Sequence, residues 1–175
     1  MEDDPLALET RRRLYEAVRL APGIGGREVQ RAAGTGWGET VYHLDRLIGA
    51  GLLHRERAGH QDHYFVAEVP LADRRLLGLM RSASARRLVL ALLEHGTQTV
   101  PDLTEKTGLS VGRLSVHLRR LLETGLVTTG RRGRLRTFEP TDRERVVRLL
   151  VVYRTGFADA WAERLLETWS ELLRP

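Results

Sequence analysis

The chain has 175 residues, 42% of them hydrophobic and 29% charged, a globular composition that suits one ordinary domain or two small ones. It contains no cysteine, which excludes disulfides, thiolate metal sites and a cysteine nucleophile. The formal charge of +5 is uneven: residues 1–70 hold nine basic and eleven acidic side chains, 71–140 hold thirteen and six, and 141–175 hold six of each. One basic block in the middle of the chain points to a polyanion partner.

The opening "MEDDPLALET" is acidic and lacks an apolar core, so no signal peptide is expected there. The longest apolar runs, "LVLALL" from Leu88 and "LLVVY" from Leu149, are too short to span a bilayer, and a cytoplasmic location is expected. "RRRLYEAVRL" and "GGREVQRAAG" read as helices. "GWGETVYHLDRLIGAG" reads as a longer helix, and "LLHRERAGHQDHYFV" as a hairpin. "SARRLVLALLEH" is a helix stopped by Gly96. "TVPDLTEKTG" is a short helix opened by Thr99, with Pro101 in its first turn and Gly108 as its stop. Ser110 caps "SVGRLSVHLRRLLETG", which Gly125 ends. "LVTTGRRGRLRTFEP" forms two strands around a Gly/Arg turn. "TDRERVVRLLVVYR" is a helix capped by Thr141 and running to about Arg154. After Gly156, "FADAWAERLLETWSELL" sets Phe157, Trp161, Leu165, Trp169 and Leu172 on one stripe. That stripe is read as a dimerisation surface.

The same elements occur twice. Sliding the chain by 74 residues puts Arg12-Arg13-Leu14 on Arg86-Arg87-Leu88, Gly34 on Gly108 and His43-Leu44 on His117-Leu118. It also puts Gly51-Leu52 on Gly125-Leu126 and Gly59 on Gly133. The expected architecture is therefore mostly α with small β-hairpins: one module over 1–70, a more basic one over 71–140, and C-terminal helices over 141–175. A short helix, a tight turn, a longer helix ending "HLRRLLETGLV" and a basic hairpin together resemble the winged helix-turn-helix, with modules similar to ArsR-like and MarR-like regulators. The tandem followed by "YRTGFADAWAERLLETW" resembles a group of archaeal-type transcriptional regulators with two such modules. The resemblance implies that the third helix of a module enters the major groove of duplex DNA while the hairpin wing contacts phosphates.

Helical periodicity makes Leu114, Leu118, Leu121 and Leu122 the buried stripe of the second reading helix. Its opposite face then carries Gly112, Arg113, Val116, Arg119 and Arg120, with Ser110 at the N-terminus and His117 on the flank. The wing adds Arg131, Arg132, Arg134 and Arg136 around Gly133. The matching outward positions of the first module are Gly38, Glu39, Tyr42, Asp45 and Arg46, where two acids replace arginines. The first module is thus either a weaker reader, through Tyr42, His43, Arg46, Arg55 and Arg57, or a packing module. The competing function is a tandem winged-helix scaffold that binds proteins rather than DNA.

Other signals are discounted. "GTGWG" lacks the preceding strand and the Gly-Lys-Ser/Thr ending of a phosphate loop. Trp37 is read as packing between modules. A two-residue turn at Ala58-Gly59 would set His54 across from His63 as a weak candidate metal pair, but no fourth ligand is evident. No catalytic constellation is discernible, so no enzyme activity, no cofactor and no membrane partner are expected. The expected partners are duplex DNA and a second copy of the chain; the residues name no small-molecule effector.

Overall fold

The computed structural model describes residues 4–58 and 61–153. Within them the chain forms two compact units that divide after Gly78. The first unit runs α1 (Glu9–Leu20), β1 (Ile24–Gly25), α2 (Gly26–Ala33), α3 (Trp37–Gly49), β2 (Leu53–Ala58), β3 (Gln61–Val66) and α4 (Leu71–Met80), whose last turn crosses the division. The second runs α5 (Ala83–His95), β4 (Gln98–Thr99), α6 (Val100–Thr107), α7 (Val111–Glu123), β5 (Val127–Arg132), β6 (Leu135–Pro140) and α8 (Arg143–Val152). The break thus falls later than the repeat suggests, because α4 belongs mostly with the first unit. There the Arg74 Nε donates to the Val69 carbonyl at 2.9 Å, and its Nη1 meets Glu56 on β2 at 3.3 Å.

Each unit contains a three-stranded antiparallel sheet, ordered β1-β3-β2 and β4-β6-β5. The first strand of each sheet, β1 or β4, is only two residues long, too short to show an alternating pattern in the sequence. The offset of the repeat survives at every strand pairing. Ile24 pairs with Tyr64 where Gln98 pairs with Phe138, and Gly25 with His63 where Thr99 pairs with Thr137. Leu53 pairs with Val66 where Val127 pairs with Pro140.

Local chemistry sets the helix ends. Thr99 and Asp102 form a reciprocal capping box on α6: the Asp102 carboxylate accepts from the Thr99 N–H at 2.9 Å, and Thr99 Oγ1 accepts from the Asp102 N–H at 3.4 Å. In α2, Glu28 accepts from the Gly25 N–H in the same way at 3.1 Å. Both helices stop at a glycine in the left-handed region, Gly34 and Gly108, each with φ +65°. Gly23 is required for a second reason. Its φ is +84°, and a Cβ there would lie 3.2 Å from the backbone of Leu77 and Gly78 on α4. Helix α8 is capped by Asp142, which accepts from the Arg145 N–H at 2.9 Å, and not by Thr141 as the sequence suggested.

The cores follow the helical stripes. Leu14, Val18, Val29, Leu44, Leu47 and Tyr64 are buried in the first unit; Leu88, Leu92, Leu103, Leu118, Leu121 and Phe138, each 74 residues on, are buried in the second. In α7 the fourth residue of the expected stripe, Leu122, is only half-buried. Each core fixes one face of its third helix inward, which leaves the opposite face outward.

Candidate nucleic-acid interface

On α7 the inward stripe of Leu114, Leu118 and Leu121 leaves Gly112, Arg113, Val116, Arg119 and Arg120 exposed. Ser110 is the N-cap and accepts from the Arg113 N–H at 3.5 Å. The first-turn N–H groups of Val111 and Gly112 remain pointed out of the helix end, as every α-helix N-terminus requires. A Cβ on Gly112 would meet nothing within 4 Å, so the backbone there stands open to a close approach. Arg113, Arg119 and Arg120 have no carboxylate partner among the described residues.

The second hairpin carries a further set of cations. Arg131, Arg132, Arg134 and Arg136 are all exposed. Gly133 takes φ +62° at the first position of a two-residue turn and Arg134 keeps a negative φ, which suits a type II′ hairpin. Arg131 and Arg136 are directly opposed across the strands. Like charges so placed destabilise a hairpin, so the wing is built against its own stability in favour of concentrated positive charge. Arg132 differs from its neighbours: its Nη2 donates to the Thr97 carbonyl at 3.2 Å, and its Nη1 lies 3.8 Å from the Asp102 carboxylate. Asp102 is held below the usual carboxylate range, first by its hydrogen bonds with Thr99 and further by Arg132 and Lys106. Arg136 also lies over the Phe138 ring, 5.4 Å from its centroid.

The first unit has the same geometry and different charges. Gly38, Glu39, Tyr42, Asp45 and Arg46 are exposed on α3. Asp45, which stands where α7 has Arg119, meets Arg55 of β2 at 3.3 Å. Arg57 is opposed by Asp62 in the place where Arg131 faces Arg136. The cations of this wing therefore sit beside acids, whereas those of the second wing sit beside one another. His43, suggested for weaker DNA contact by the first module, is buried, only 9% exposed. Tyr42 is 59% exposed, with its ring edge-on to His43 at 5.0 Å between centroids.

A family model described as an N-terminal HTH domain matches residues 8–77, and that of the bacterial regulatory protein, arsR family, matches residues 83–129. The chain is a tandem of two helix-turn-helix domains. Comparison with curated proteins gives no match. Among solved structures, reduced AbfR bound to DNA is 18% identical with a TM-score of 0.41, covering 84% of this chain and 95% of that one. Disulfide-formed AbfR is likewise 18% identical with a TM-score of 0.41, at 85% and 97% coverage. The DIP2311 protein from Corynebacterium diphtheriae is 17% identical with a TM-score of 0.32, at 75% and 26% coverage.

Within the first helix-turn-helix domain, Gly34 and Gly36 of "GTGWG" lie in the turn between α2 and α3, while Trp37 and Gly38 open α3. Trp37 packs against residues of its own domain. Arg27 lies over its ring at 3.9 Å from the centroid, and its edge closes on Gly26, where a Cβ would come within 3.2 Å. The candidate metal pair is not formed as expected. Ala58 pairs with Gln61 in the first hairpin, so His54 faces Phe65 and His63 faces Glu56. In that register Leu53 pairs with Val66, and both are buried. His63 is committed elsewhere: its Nδ1–H donates to the Gly23 carbonyl at 2.7 Å. No group of three or more potential metal ligands occurs among the described residues. No helix among them is long and apolar enough to cross a membrane. Phe157, Trp161, Leu165, Trp169 and Leu172 lie outside the described residues.

In the second helix-turn-helix domain, His117 is half-buried on the flank of α7 and its buried Nδ1 has no hydrogen-bond partner among the described residues. Burial, and then Arg120 and Arg113, push its pKa below the ordinary histidine value. The folded domain therefore resists the proton that the unfolded chain accepts. Stability should decline as pH falls below about 6.5 and level off once the folded state also protonates. Thermal melts between pH 7.5 and 5 should show this decline, and His117→Gln should flatten it. An unchanged decline in the variant would assign it to other groups.

Proposed function

We propose that this chain is a sequence-specific duplex-DNA-binding transcriptional regulator whose second domain is the main reader. In this reading α7 enters the major groove, with Ser110, Gly112, Arg113, Val116, His117, Arg119 and Arg120 toward the DNA. The β5–β6 wing lies along the phosphates. The observation that carries the proposal is the opposed Arg131–Arg136 pair, in the same domain as the exposed arginines of α7. A solvated surface gains nothing from cations set against each other, whereas a phosphate backbone compensates both. Arg46 remains exposed on α3 for weaker contact by the first domain, while Arg55 and Arg57 face acids.

The test is fluorescence anisotropy of the full chain on random duplex DNA over a range of salt. A DNA reader gives a logarithmic affinity that falls linearly with the logarithm of salt, by about 0.9 per phosphate neutralised. Little affinity and no steep slope would favour a scaffold that binds proteins instead.

The regulator is further proposed to act in the cytoplasm as a homodimer through the stripe of Phe157, Trp161, Leu165, Trp169 and Leu172, since a two-fold protein matches palindromic half-sites. Sedimentation equilibrium at tens of micromolar should give the dimer mass. A monomer with Trp161 shielded from a collisional quencher would contradict this part of the proposal.

A further inference from the structure

Four of the exposed large hydrophobic residues occupy two equivalent positions of the repeat. Trp37 and Val111 open the third helices, and Tyr42 and Val116 lie one and a half turns further on. Trp37 is accounted for by Gly26 and Arg27. Val116 has no such explanation. It is 46% exposed, opposite the buried stripe of Leu114, Leu118 and Leu121. At about 100° per residue it falls near the middle of the outward face, between Arg119 on one side and Arg113 and Arg120 on the other. One turn earlier on the same line stands Gly112, which has no side chain and open space around it. Nothing from its own helix therefore shields Val116 from what lies in front of it.

An apolar side chain at the centre of a cationic face cannot contact phosphate usefully. It suits an apolar group framed by hydrogen-bond acceptors. In the major groove that group is the C5-methyl of thymine, beside the acceptor edges of purines that arginine recognises. Valine is well chosen for such a contact because its branched β-carbon restricts it to few rotamers, so its methyl groups are presented rigidly. We infer that Val116 is a specificity-determining residue that reads the 5-methyl group of a thymine, with Arg113, Arg119 and Arg120 engaging the neighbouring acceptors. This inference rests on the proposed DNA-binding function and adds the base that the centre of α7 selects.

The test starts from duplexes enriched by the full-length protein from a random pool. Each thymine in a selected duplex is replaced singly by deoxyuridine, which removes only the methyl group. At one position or more the wild-type affinity should fall about fourfold, the effect of one buried methyl. Val116→Ala should bind the thymine and deoxyuridine duplexes equally, while Val116→Ile should keep the discrimination. The alanine variant retains the fold, because the site is exposed and alanine favours helix; circular dichroism checks this. If no thymine shows the effect, or if the discrimination survives in Val116→Ala, the inference is overturned and the DNA-binding reading stands. If the pool gives no salt-dependent binding at all, the proposed function itself is overturned.

Discussion

Replacing Arg119 and Arg120 together with alanine is expected to weaken duplex-DNA binding by roughly a hundredfold or more, taking one to three kcal/mol for each well-placed arginine contact. Arg46→Ala, at the position equivalent to Arg120, should change affinity by no more than about threefold, a fraction of one such contact. The two helices share a backbone plan and differ in charge. On α7 both arginines are exposed without a carboxylate partner among the described residues. On α3 the equivalent of Arg119 is Asp45, which is already engaged with Arg55. Both variants lie on outward faces, so thermal melts should show little change and the losses should be those of binding. A larger loss for Arg46→Ala would reverse the assignment of the two domains.

Substituting Arg131, Arg134 and Arg136 together with threonine should move affinity and stability in opposite directions. Affinity should fall almost equally for all DNA sequences, and the salt slope should shrink by about 0.9 for each lost phosphate contact, close to three units in all. The melting temperature should rise slightly, since the Arg131–Arg136 repulsion is removed from the hairpin, an effect of a few tenths of a kcal/mol. Arg132→Thr should behave differently. Its ties to the Thr97 carbonyl and to Asp102 hold the wing against the start of α6, so its loss should cost stability as well as affinity. Altered sequence preference at an unchanged slope in the triple variant would mean that the wing reads bases.

Much of this arrangement was legible in the sequence because the same module is written twice. The glycines that stop α2 and α6, the Ser110 cap and the leucine stripe of α7 each carry a local physical signature, and a constant offset between copies confirms each against the other. What escaped the sequence depends on pairing across space. The two-residue strands β1 and β4 are defined only by their partner β6 or β3. The register of the first hairpin, with Leu53 on Val66 and Ala58 on Gln61, is shifted by two residues from the one that the Ala58-Gly59 dipeptide suggested, and with it went the expected histidine pair. Helix α4 lies outside the duplicated region. The Arg55–Asp45 and Arg132–Asp102 pairs join different elements, so composition showed an excess of charge without showing which cations were already partnered.

The central claim is that DNA lies on the second domain, and arginine footprinting tests it most directly. The full-length protein is treated with a dicarbonyl reagent that modifies accessible guanidinium groups, with and without duplex DNA, and modification is read by mass spectrometry of the peptides. DNA should protect Arg113, Arg119, Arg120, Arg131, Arg134 and Arg136, while Arg46 on α3 should stay as reactive as in the free protein. Protection of Arg46 with unchanged reactivity along α7 and the second wing would contradict it.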